Sequence, residues 1–347
     1  MKSTFFLVTI ALGLAIAACG PSDAQYQEEL PQEMHDSLQG DLSDLIAAAV
    51  ALQSSAPTPD GRGWDATLDA GAIAQMKTHW RECRIAYEHV EGALAPIFPD
   101  IDASIDARYD DFLAHLGGQG DADPFDDQGV TGMHAIERIL YADQIPQSVV
   151  DFESTLPGYA PAAFPATAAQ AQEFKTQLVQ KLIDDATKMK SEWQPAAIDV
   201  GVAFQGLVSL MNEQKEKVNK AATGEEESRY AQMTLFDLRN NLAGTAKIYA
   251  LFQPWIRSKN GAAEDAAIES GFRSLTALYD GYAGDELPPP PATWSSDAPT
   301  AADLATPFGQ LWSGVHAAVD PSKQGSVVFE MNDVAALLGF PQFVEGP

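Results

Sequence analysis

Apolar residues recur at helical spacing through nearly the whole chain, and that periodicity limits the possible folds more than any other feature of the sequence. Leu42, Leu45, Ile46 and Val50 make one such stripe. Alternation of period two is scarce, and no Asn-Gly or Asp-Gly step joins two β-branched runs into a hairpin. The expected class is all-α: two tandem helical bundles of the four-helix type, with pseudo-symmetry between the halves left open because no strict repeat exists. In the first bundle, 41–145, the pattern predicts helices over 41–53, 72–98 (interrupted near Pro96), 103–116 and 129–142. A Pro-, Ala- and Gly-rich stretch, 146–167, reads as a crossover. The second bundle, 168–347, is predicted to hold helices over 168–193, 195–222, 228–255, 261–282, 301–319 and 327–338.

The first 18 residues read as an export signal, with Lys2 ahead of an apolar run from Phe5 to Ala18 that is too short to span a bilayer. It ends Ile16-Ala17-Ala18-Cys19, the pattern cut before a cysteine that then carries a diacylglycerol. Residues 19–40 would be a polar tether. The expectation is a body anchored to a membrane through Cys19, on the periplasmic or cell-surface side; an ordinary cleavable signal is the alternative. With Cys19 lipidated, Cys83 has no partner for an intrachain disulfide and reads as a small buried apolar residue.

Twenty-one basic residues against 49 acidic give a formal charge of −28, which excludes nucleic acid or an anionic bilayer as the main partner. Within that acidity two short segments stand out. Gly132 to Glu137, GMHAIE, places His134 and Glu137 three apart on one helical face, and YEHVE repeats the spacing with Glu88 and Glu91. Two such pairs on neighbouring helices are what a carboxylate-rich metal site in a bundle requires. Asp102 and Asp106, four apart, could close the shell or line its access. One imidazole among carboxylates suits iron, manganese, zinc or Cu(II). No HExxH, GxSxG, Walker loop or GxGxxG is present, and the remaining histidines lack ligand spacing.

YEHVEGALAPIFPDIDASIDAR and GMHAIERILYA, with KVNKAATGEEESRYAQMTLFDLRNNLAGTAKIY in the second half, resemble the imelysin-like family, closest to its iron-uptake branch of the EfeO/EfeM type. Gly224, Glu225, Glu226, Tyr230, Asp237, Asn241 and Gly244 fall in matching places. The resemblance implies two helical bundles and a metal site at the HxxE helix. It assigns His134 and Glu137 to that motif, Glu88 and Glu91 to the acidic pair, and Asp102 or Asp106 and Asp199 to further acidic positions. Thr234 departs from the family, which has an acid before the leucine, and the chain lacks a cupredoxin-like domain. The implied function is capture of iron, or of copper, zinc or manganese, for an iron permease or peroxidase partner; a metal-dependent peptidase is the alternative.

Overall fold

The computed structural model describes residues 21–58 and 60–344; the signal expected over 1–18 and the lipidation expected at Cys19 fall outside them. Helix α1 runs Asp23–Ser55. Ser22 starts it, because its hydroxyl accepts from the Gln25 amide while the Gln25 side chain accepts from the Ser22 amide at 2.8 Å. Leu30, Met34 and Leu38 are buried in register with Leu42 and Leu45. Residues 23–40 are therefore the first half of a core helix, not a tether. The exposed glutamates and glutamines of that half masked an apolar stripe spaced at four.

The first half continues with α2 Ala70–Glu88, α3 Glu91–Leu94, α4 Pro99–Asp106, α5 Tyr109–His115, α6 Gly132–Leu140 and α7 Gln147–Glu153. Then come α8 Ala168–Glu173, a π-helical turn Phe174–Leu178, and α9 Val179–Glu192. The second half holds α10 Val200–Lys220, α11 Thr234–Ser258, α12 Ala262–Asp280, α13 Ala301–Leu304, α14 Pro307–Val319 and α15 Val327–Leu338. The described residues are all-α. None of their helices is long and apolar enough to cross a membrane.

Helices α1, α2, α4, α6 and α9 pack as one bundle, and α10, α11, α12, α14 and α15 as the other. The expected boundary thus shifts: 168–192 packs back on α1, α4 and α6, and the chain passes to the second bundle only at 193–199. Residues 146–167 contain the short α7 and return the chain to the first bundle. One continuous apolar core joins both halves, from Trp80 and Phe174 to Phe204, Phe252 and Phe308.

Two glycines let the bundles meet closely. A Cβ on Gly244 of α11 would lie 2.6 Å from the His89 Cα, and one on Gly206 of α10 would lie 2.1 Å from the Gly92 carbonyl oxygen. The expected helix 72–98 breaks beneath this contact, at His89–Val90, so Glu88 and Glu91 flank a turn instead of sharing one helix. The expected helix 103–116 also breaks, with Ala107 and Arg108 extended.

Candidate metal centre

Helix α6 is buried at all nine positions, and its start is pressed against the end of α4. Gly132 has φ +82°, and a Cβ there would lie 2.4 Å from the Ile105 carbonyl oxygen, so only glycine fits. That contact delivers Asp106, the last residue of α4, to the His134 imidazole.

On the other side lies the connection between α10 and α11. Residues 228–233 were expected to begin a helix, yet 221–233 form a turn-rich loop whose backbone is tied to α6. One Glu137 oxygen accepts from the amides of Tyr230 at 3.0 Å and Ala231 at 2.8 Å. Glu153 accepts from Arg138 at 3.1 Å and from the Tyr230 hydroxyl. Thus anchored, the loop carries Glu227 into the same place.

His134 is 1% exposed and its two nitrogens differ. Nδ1 bonds the other Glu137 oxygen at 2.8 Å. Nε2 has no hydrogen bond of its own and faces Asp106 Oδ1 and Glu227 Oε1, each at 3.5 Å. Ligands about 2.1 Å from a tetrahedrally bound ion stand roughly 3.4 Å apart. The three donor atoms lie within 4.8 Å of one another, so the geometry fits one shared cation of the kind that accepts imidazole and carboxylate.

Buried charges hold the acids in place. The Arg84 guanidinium of α2 contacts Glu88, Asp106, Glu227 at 3.6 Å and Asp237 at 3.4 Å. Lys217 Nζ of α10 lies 3.4 Å from Glu227 Oε2 and 3.0 Å from Asn241 Oδ1. Asn241 in turn donates to Glu88 and, at 2.8 Å, to Glu91. Acids still outnumber bases, and burial raises several carboxyls: Asp106 to about 6 and Asp102 to about 7. Glu88 is also pushed up by burial. Burial opposes charge on His134, but Glu137, Glu227 and Asp106 outweigh it and raise the imidazole to about 9. Glu227, despite burial, is held well below its ordinary value by Lys217 and His134. A cavity of about 180 Å³ lined by Asp106, Arg108, Asp111, Glu213, Glu216, Lys217 and Glu227 opens from the cluster. Half-exposed Asp111 and Glu216 bring it to solvent.

Of the residues singled out from the sequence, the structure brings His134 and Asp106 together. Glu137 stands behind the imidazole with both oxygens engaged, where it orients the ring. Glu88 and Glu91 bind Arg84, Asn241 and Lys217 around that cluster, and Asp102 accepts from Tyr87. Asp199 is elsewhere: it caps α10, accepting from Gly201 at 2.9 Å and Val202 at 3.1 Å, about 27 Å of helix from Lys217. Glu227 and Arg84 were missed. Glu227 is one of three successive glutamates, which spacing alone does not distinguish. Arg84 did carry a signal, since it sits four residues after Trp80 on a stripe that buries Cys83 and Tyr87. Cys83 itself is buried, which pushes its thiol well up.

The imelysin family model matches residues 33–310. An Efem/EfeO family lipoprotein of Staphylococcus haemolyticus (strain JCSC1435) is 25% identical over 313 residues, covering 87% of this chain and 94% of that protein. One from Staphylococcus aureus (strain MSSA476) is 27% identical over 215 residues, covering 62% of each. The crystal structure of an imelysin-like protein from Psychrobacter arcticum 273-4 superposes with a TM-score of 0.63 at 14% identity, covering 95% of this chain and all of that one, a likeness of fold.

Proposed function

The chain belongs to the imelysin family, and from that premise we propose that it is an exported, lipid-anchored protein that captures a transition-metal ion, iron first among them, for uptake. The observation that carries this reading is the buried, unpartnered Nε2 of His134 between two carboxylates brought from separate elements. Asp106, His134 and Glu227 take the ion; Glu137 fixes the ring so that Nε2 points inward. Arg84 and Lys217 keep the acids apart and aimed while no ion is held. The naming of the staphylococcal relatives as lipoproteins supports anchoring through Cys19. The ion then passes to a permease or peroxidase partner. Mechanistically this is binding and release.

A cavity of about 180 Å³ favours this over peptide hydrolysis. At roughly 30 Å³ per water it holds a handful of solvent molecules, whereas pockets for organic ligands run to about 300–1,000 Å³. Elemental analysis followed by competitive titration with iron, copper, zinc and manganese tests the reading. Wild type is expected to bind one ion, and His134→Ala and Glu227→Gln to lose it. Equal affinity and stoichiometry in both variants would refute the site. Chelator-sensitive cleavage of defined peptides would transfer the protein to the peptidase reading.

A further inference from the structure

Lipidation at Cys19, combined with the early start of α1, fixes how such a protein would sit. This inference rests on the anchored reading above. We propose that the molecule stands on its bilayer on one end and holds the metal pocket well above the lipid, at the level where the two bundles meet. The standing end is built from the start of α1, the end of α11 and Phe340.

Helix α1 begins at Asp23, four residues after Cys19, so the lipidated cysteine reaches at most roughly 14 Å from the folded body. A 22-residue tether, as 19–40 read from sequence, would let the body drift; this leash does not. The tethered end is firmly assembled. Asp23 accepts from Trp255 Nε1 at 2.9 Å and pairs with Lys259 at 2.7 Å, while Tyr26 stacks on Trp255 at 5.7 Å. Phe340 packs edge-on against Trp255 at 5.4 Å. At this end the half-exposed Arg257 pairs with Asp265 at 2.6 Å, as Lys259 does with Asp23. Charges paired in this way leave the end without a row of unmatched acids and suit the headgroup boundary. The flank does not: Glu28, Glu29, Glu33 and Asp36 are exposed along α1, so lying flat would set a row of acids against anionic lipid.

Three helices measure the height of the pocket. On α1 the span runs from Asp23 to Asp41, which pairs with His89 beside Glu88 at 3.3 Å. On α10 it runs from Asp199, which shares a groove with Gln27 and Phe340, to Lys217. On α11 it runs from Lys259 back to Asn241. Each span is 18 residues, and at 1.5 Å per residue each is about 27 Å long. A recipient of the ion must therefore meet it about 27 Å from the lipid, through a part that projects from the membrane.

The test uses the full lipidated protein in phosphatidylethanolamine–phosphatidylglycerol vesicles. A fluorophore is placed on Ala197→Cys or Thr223→Cys, exposed positions beyond opposite ends of α10, with a quencher on the lipid headgroups. Cys83 is buried and does not compete for label. Quenching is expected to be several-fold stronger at 197 than at 223. Equal or reversed quenching in protein that floats with vesicles and carries the diacylglycerol mass would overturn the standing orientation alone. Protein lacking that mass and failing to float would overturn the anchor on which the orientation depends, leaving metal binding untouched.

Discussion

At the scale of single residues, the chemistry turns on what occupies the space between His134, Asp106 and Glu227. With an imidazole raised to about 9, a proton holds that space at neutral pH and an incoming cation must displace it. Metal affinity is therefore expected to rise about tenfold per pH unit towards pH 9, where His134 becomes neutral. Below about pH 6 the Asp106 proton adds to the competition and the dependence steepens. Competition titrations at several pH values read both slopes, and an affinity flat from pH 6 to 9 would contradict an imidazole ligand. Glu137 is expected to behave differently from a ligand. Its oxygens bind Nδ1 of His134 and the 230–231 amides, so Glu137→Gln should weaken binding by about 10–100-fold without changing stoichiometry. Isothermal titration distinguishes that outcome from outright loss.

Among the elements, α1 carries the sharpest test. If 23–40 belongs to the core, Leu38→Ala should cost about 2–5 kcal/mol, measured by denaturant unfolding, because its side chain is fully buried. A change under about 0.5 kcal/mol would restore the tether. The long helices were legible because their stripes continue for many turns. Their ends were not, and the reason is tertiary. Helix α2 breaks at His89 beneath Gly244, and 221–233 abandons helix to feed its amides to Glu137. Neither partner is near in sequence. The site was legible to the same extent: His134 and Asp106 stand on helices that could be read. Glu227 reaches the cluster only through a loop docked across 93 residues of chain, from Tyr230 to Glu137. Asp199, carried over from the resemblance, turned out to satisfy a helix end.

Over the whole molecule, the ion would join two bundles. Asp106 and His134 come from the first, and Glu227 from the loop between two helices of the second. Proton linkage then sets stability against pH. His134, Asp106, Asp102 and Glu226 all have folded-state values raised above their ordinary ones, to about 9, 6, 7 and 7. The folded protein thus binds more protons than the unfolded chain, and the stability these groups contribute is fully present only in acid: the carboxyls lose theirs as pH climbs from about 4 to 7, and His134 loses its share on the way to about 9. Glu227 has the opposite sign, but its contribution is lost only in acid, below its ordinary carboxylate range. Metal-free protein is accordingly expected to melt at a lower temperature at pH 9 than at pH 6. Metal works the other way, since an ion that binds only the folded state stabilises it by RT ln(1 + [L]/Kd), and Kd falls as the proton leaves. The gap between loaded and metal-free melting temperatures should widen across the window in which the metal-free protein weakens. Hydrogen exchange would show where the stabilisation lands: slowing is expected in 221–233 and at the start of α6, with α12 to α15 unchanged. A gap that narrows with rising pH, or protection spread evenly over both bundles, would mean that the ion is held somewhere other than between them.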